Sequence, residues 1–323
     1  MNESNPGGPD HRQGRLPVGA GHELFFEVAG RGLPAVVLHG GPGSGTSPGL
    51  RRRFDHDRWR VTTFDQRAAG RSTPSAGNAD SDLSAVTTPH LVADIDWLRE
   101  HLGIARWLVW GGSWGSTLAL AYAQAHPDRV SAVVLEAVTA GTRRELDWIT
   151  RDMGRIFPAE WERFRDHLPP ADRDGDLAAG YSTLLHSPDP AVRAAAAAAW
   201  CRWEDTHVSL AAPEPSYSRL PSERQLGTAR QVTWFWSQNC FLAPGQLLAG
   251  MPALAGIPGV LVTGRRDISS PADTAWLLHR AWPGSELHIV EGDGHGGDSM
   301  RNITTAAIDR LADRLSTEGP PQS

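Results

Sequence analysis

The tightest chemical signal in the sequence is GGSWGS at residues 111–116, which fits G-x-S-x-G with Gly111, Ser113 and Gly115. A short apolar run, Trp107 to Trp110, precedes it, and an Ala- and Leu-rich run, Leu118 to Ala125, follows. A serine between a strand and a helix sits on a sharp turn that lifts its hydroxyl above the sheet, and glycines on both sides allow the close backbone packing this needs. A serine hydroxyl alone is a weak nucleophile and needs a base that a third group orients. In the chain order Ser, acid, His, the best acid is Asp267, in TGRRD at 263–267, and the best base is His295, in GDGHG at 292–296. Asp293 and Asp298 stay open as acids, although both are too close in sequence to His295 to come from a separate strand. His288 falls inside the last strand and reads as core or sheet surface. Two backbone N–H groups must meet the developing oxyanion. Trp114, next after the nucleophile, supplies one, and the HGGPGSG turn at 39–45 supplies the other, best from Gly41. That turn has no Walker lysine and is not G-x-G-x-x-G, which argues against a phosphate loop. A neutral His295 as base predicts rate loss below roughly pH 6–6.5.

The elements that must hold these residues follow a strand–helix rhythm. Strands are expected at Glu23 to Val28, Ala35 to Leu38, Arg60 to Phe64, Trp107 to Trp110 and Val130 to Val138, with a helix over Leu91 to Leu102. The rhythm stops near residue 140 and resumes at Gly259 to Thr263 and Glu286 to Val290, before a last helix from about Asn302 to Leu315. The fold class is therefore α/β, a mostly parallel, doubly wound sheet over 21–139 and 251–323, interrupted by a helical insertion over 140–250. Asp267 and His295 both fall just past strand ends, where such sheets place their sites. Residues 1–20, rich in Gly, Pro and Arg, read as a loose tail.

Composition narrows the function classes. The chain has 323 residues, 40% hydrophobic and 21% charged, enough to bury a sizeable core. The net charge of −6, with no basic stripe, gives no support to nucleic-acid binding. The longest apolar runs are far too short to span a membrane. Two cysteines, Cys201 and Cys240, make no disulfide framework, and the polar start has no apolar leader region. The expectation is a cytoplasmic protein. There is no H-E-x-x-H and no Cys/His cluster with ligand spacing, so no metal or cofactor is expected, only a small-molecule or short-peptide substrate.

Over about residues 20–315 the chain resembles the proline iminopeptidase (prolyl aminopeptidase) family of α/β-hydrolases. The motifs are HGGPGSG at 39–45, FDQRAAGRS at 64–72, GGSWGSTLALAYA at 111–123, IPGVLVTGRRD at 257–267, AWLLHRAWP at 275–283 and GDGHGG at 292–297. The resemblance implies an α/β-hydrolase fold, Ser113, Asp267 and His295 as catalytic triad, Gly41 and Trp114 as oxyanion donors, and residues 140–250 as a cap. It also implies that acidic cap residues recognise the free amino terminus of the substrate. One family position, in A-W-x-x-W-E, is matched here by Glu204 in Ala199 to Glu204, where a solvated helix face is the plainer reading of the residue by itself. The other, in A-R-I-E-N-H-Y-F, is matched by Ala229 to Trp236, with Val232 at the acidic position. Losing one partner of a desolvated charge pair can cost about 2–5 kcal/mol of binding. Glu204, Val232, Trp203 and Trp234 are thus the substrate-binding candidates. Two expectations follow: a proline iminopeptidase-like serine hydrolase, or the same scaffold in secondary metabolism acting on a bulky apolar or aromatic substrate, which the Trp-rich insertion would suit.

Overall fold

The computed structural model describes residues 11–208 and 217–317. Eight strands form one sheet: β1 (Arg12–Pro17), β2 (Glu23–Ala29), β3 (Leu33–Leu38), β4 (Trp59–Phe64), β5 (Trp107–Gly112), β6 (Val130–Glu136), β7 (Gly259–Gly264) and β8 (Glu286–Val290), in the order β1-β2-β4-β3-β5-β6-β7-β8. The β1–β2 and β2–β4 pairs are antiparallel and every other pair is parallel. The central strands are buried on both faces, which is why they read as unbroken apolar runs and not as alternations.

Eleven α-helices are described: α1 (Pro48–Arg51), α2 (Thr88–His101), α3 (Trp114–Ala125), α4 (Arg143–Thr150), α5 (Pro158–Asp166), α6 (Leu177–Leu185), α7 (Pro190–Val208), α8 (Ser222–Ser237), α9 (Gln246–Ala249), α10 (Asp273–Ala281) and α11 (Asp298–Thr317). Side chains alternate across β3. Ala35 and Val37 join Met300, Ile308 and Leu311 of α11 on one face, while Val36 and Leu38 join Ile95 of α2 and Leu118 of α3 on the other. No helix among the described residues is long and apolar enough to cross a membrane.

The strand–helix rhythm read from the sequence is present, and α4 to α9 fill the stretch expected to be helical. The expected loose tail is corrected in part. Residues 1–10 lie outside the described residues, but Arg12–Pro17 is an edge strand paired with β2. Its Gly14 lies flat against the Phe26 ring, where a Cβ would come within 2.5 Å, and Leu16 packs on the core. A Gly/Pro/Arg composition hides a strand whose hydrogen bonds come from a partner about ten residues on.

The insertion is fastened to the sheet domain through α8. The buried Arg230 donates to the carbonyls of Ala76, Asn78 and Ser81, Gln231 Nε2 donates to Ala68 O at 2.9 Å, and Trp234 Nε1 donates to Val86 O at 2.8 Å. Within the insertion, Phe164 stacks on Tyr181 (4.7 Å) and Trp203 (5.2 Å), and Tyr181 meets Trp200 edge-on. These aromatic contacts and burial hold α5, α6 and α7 together.

Candidate active site

Ser113 sits between β5 and α3 with φ 55° and ψ −128°, a conformation that non-glycine residues rarely adopt. The glycines around it permit the turn. A Cβ on Gly111 would meet Gly115 O at 2.1 Å, and one on Gly115 would meet Leu38 O at the same 2.1 Å. The turn places the hydroxyl at the N-terminus of α3, where the helix dipole favours negative charge.

Two further loops converge on it. After β7, Arg265 N–H donates to Val290 O (2.8 Å) and Arg266 N–H donates to Asp293 O (3.0 Å), which locks the 264–267 loop to the loop after β8. Across this junction His295 Nδ1 lies 2.9 Å from Asp267 Oδ2 and 3.1 Å from Oδ1, and His295 Nε2 lies 3.0 Å from Ser113 Oγ. Asp267 also accepts from Ser270 N–H at 2.8 Å. Burial alone would lower the His295 pKa, but the Asp267 carboxylate, with Glu204 and Glu136 farther off, outweighs it and holds the imidazole above its ordinary 6.5. The other acids considered from sequence have structural partners. Asp293 accepts from Met300 N–H at 2.7 Å and Asp298 pairs with Arg301. His288 is in β8, 3.4 Å from Glu286.

The HGGPGSG turn lies beside the hydroxyl, and Gly41, at φ +113°, lines one cavity with Ser113, Trp114 and His295. The DQR segment holds this turn. Gln66 N–H donates to His39 Nε2 (3.0 Å), so that nitrogen is bare and Nδ1–H of His39 donates to Gly40 O (2.9 Å). The Gln66 amide then bridges the two segments expected to carry the oxyanion donors, donating to His39 O (2.9 Å) and accepting from Trp114 Nε1 (3.0 Å). Asp65 accepts from both Thr46 and Arg71, and Arg67 makes a buried two-pronged pair with Asp94. Gln66→Leu should lower kcat about 10- to 100-fold with a much smaller change in KM, because it frees the turn that carries Gly41 without touching substrate. Steady-state kinetics reads this directly, and a pure KM effect would contradict it.

The four substrate-binding candidates are not all at the cavity. Glu204 lines it, with Oε1 accepting from Trp200 Nε1 at 3.0 Å. Burial raises the Glu204 carboxyl to about 7, against the opposing pull of the Trp200 hydrogen bond and His295, and Asp205 adds to the rise. Val232 is 2% exposed inside the apolar core and is not among the lining residues. Trp234 turns toward Val86 and Phe241, and Trp203 lines a different cavity with Glu160, Arg163 and Arg202. Among the tryptophans of the insertion, Trp236, one turn beyond Val232, lines the site. Neither Trp203 nor Trp234 lines the cavity that holds Ser113. His207, Tyr217 and Ser269 also line the cavity, and the sequence reading passed over all three.

A hydroxyl at a glycine-flanked turn, an imidazole in reach of it, and a carboxylate behind that imidazole, all at the carboxyl edge of a mostly parallel sheet, define a serine hydrolase of the α/β-hydrolase class. The alpha/beta hydrolase fold family matches residues 34–297. The chain belongs to the proline iminopeptidase family of these enzymes. It is 48% identical over 311 residues to a Streptomyces coelicolor protein named "Probable proline iminopeptidase", covering 94% of this chain and 95% of that one. It is 42% identical over 299 residues to the proline iminopeptidase of Xylella fastidiosa strain Temecula1, covering 91% and 93%. The crystal structure of the Mycobacterium smegmatis proline iminopeptidase shares the fold at 20% identity, with a TM-score of 0.62 over 94% of this chain and 100% of that one.

Proposed function

We propose that this enzyme removes N-terminal proline from short peptides, amides or arylamides through an acyl-enzyme on Ser113. Ser113 Oγ attacks the carbonyl carbon of the first residue while His295 Nε2 takes its proton. Asp267 holds the His295 tautomer and carries the imidazolium beside it. The N–H groups of Gly41 and Trp114 receive the oxyanion. As the C–N bond breaks, the leaving amine takes the proton from His295. Water then attacks the acyl carbon and gives a proton to His295; as the acyl–Oγ bond breaks, His295 returns that proton to Ser113 Oγ and the free amino acid leaves.

The observation that carries the substrate side is Glu204, a buried carboxylate in the cavity that holds Ser113. A buried carboxylate is costly unless a cation joins it, and a substrate ammonium is such a cation. The insertion, residues 140–250, acts as the cap that encloses it. The two free, buried cysteines fit a reducing, cytoplasmic setting. Identities of 38–48% to proteins named proline iminopeptidase do not favour the reading in secondary metabolism. The tryptophans of the insertion weaken that reading too, since Trp203 and Trp234 do not line the cavity that holds Ser113.

Turnover of proline arylamide beside its N-acetylated form tests the reading. The free amine should be cleaved and the blocked one at least about 100-fold more slowly, the scale of a lost buried ion contact. Hydrolysis of an aryl ester with no cleavage of proline arylamide would overturn it.

A further inference from the structure

His207 is among the cavity side chains that the mechanism above does not use. His207, on α7 one turn after Glu204, is 3% exposed and lines the same cavity as Ser113. Its Nδ1 lies 2.6 Å from Ser269 Oγ. Its Nε2 is buried, has no hydrogen-bond partner among the described residues, and stands 3.5 Å from Glu204 Oε2. We propose that His207 is a specificity-determining residue, whose bare Nε2 forms with the Glu204 carboxylate a two-acceptor seat for the secondary ammonium of an N-terminal proline. This deepens the function proposed above and rests on its assignment of Glu204.

The chemistry follows from the unfilled gap. A contact of 3.5 Å is too long for a good N–H···O bond. Ser269 Oγ can accept a proton carried on His207 Nδ1, and the proposed seat requires that tautomer, in which a nitrogen lone pair and a carboxylate oxygen face one another. Two acceptors repel unless a donor with positive charge bridges them. The ring of an N-terminal proline ends in an NH₂⁺ group with two N–H donors. One would go to Glu204 and one to His207, and both would be satisfied. A primary ammonium would have a third donor to place in a buried site, and an unmade buried hydrogen bond is penalised. The charge also balances. Burial, with His295 nearby, drives the His207 pKa down to about 3, so the imidazole stays neutral and one carboxylate meets one cation. The seat therefore needs no second carboxylate, which is consistent with an apolar residue, Val232, at the family's other acidic position.

The test compares His207→Leu, which removes the acceptor, with His207→Gln, which keeps one near the same place. Two readouts are used: the ratio of kcat/KM for proline arylamide to kcat/KM for the aryl ester of cyclopentanecarboxylic acid, and the Ki of pyrrolidine against ester hydrolysis. In His207→Leu the ratio should fall about 10- to 100-fold and the Ki should rise by a similar factor, the scale of one hydrogen bond to a charged group. His207→Gln should recover part of both. An equal loss on both substrates would make His207 merely structural. Wild-type ester hydrolysis indifferent to pyrrolidine, or a Ki that does not respond to the substitution, would overturn the seat. Pyrrolidine inhibition that depends on His207 without any cleavage of proline arylamide would leave the seat standing and sink the aminopeptidase reading instead.

Discussion

Ser113→Gly is expected to lower kcat about 10⁵- to 10⁶-fold while raising stability by about 1 kcal/mol. The loss follows from removing the nucleophile, since no other hydroxyl is placed 3.0 Å from His295 Nε2 among the described residues. The gain follows from the backbone. At φ 55° and ψ −128° a side chain is held in a strained region, at a cost of roughly 1–3 kcal/mol that glycine escapes. Glycine gives some of this back through the entropy of the unfolded chain, about 0.5–1 kcal/mol. For a chain of 323 residues the balance is a rise in Tm of about 1–2 °C. Ser113→Ala removes the same hydroxyl but keeps a Cβ, so it should be equally inactive with little change in Tm. Thermal melts of the three proteins separate the two effects. If glycine and alanine shift Tm alike, the turn is not strained and the hydroxyl is not presented in the way argued here.

The parts of the site that could be read from sequence are those whose constraint is local. Gly111 and Gly115 announce the turn because each must sit against backbone, and the strand ends before Asp267 and His295 can be counted from apolar runs. The unread parts depend on distant partners. Gln66 falls within a quoted motif, yet its work depends on His39 and Trp114, 27 and 48 residues away. The aromatic richness of the insertion suggested a ligand wall, but a helix shows only one face to the cavity. On α8, Trp236 faces the site while Trp234 anchors the helix to Val86. Likewise on α7, Glu204 and His207 face inward and Trp203 stacks on Phe164. The helical phase of the insertion relative to Ser113 is set by tertiary docking through Arg230 and its carbonyl partners, which periodicity within one helix does not report.

Asp267→Asn is expected to cost about 10⁴-fold in kcat with the fold retained, the second largest effect at this site. The carboxylate accepts from His295 through both oxygens and from Ser270 N–H. An asparagine of the same shape can turn its NH₂ toward Nδ1, which leaves the proton on Nε2, facing Ser113, where a base needs a lone pair. The pH profile distinguishes this from general damage. In the proposed mechanism His295 works as a base only when neutral, so activity should fall as pH drops through its pKa. Burial lowers that pKa, but the neighbouring carboxylates, Asp267 first among them, hold it above its ordinary 6.5. The wild-type acid limb should therefore lie above pH 6.5, higher than the sequence suggested. In Asp267→Asn it should move downward, with Glu204 and Glu136 still raising it in part. Glu204 itself titrates near 7. The limb is thus best followed with an ester that carries no amine, so that loss of ammonium binding does not overlie loss of the base. A residual activity in Asp267→Asn whose acid limb stays where the wild type has it would assign that limb to another group and remove Asp267 as the partner of His295.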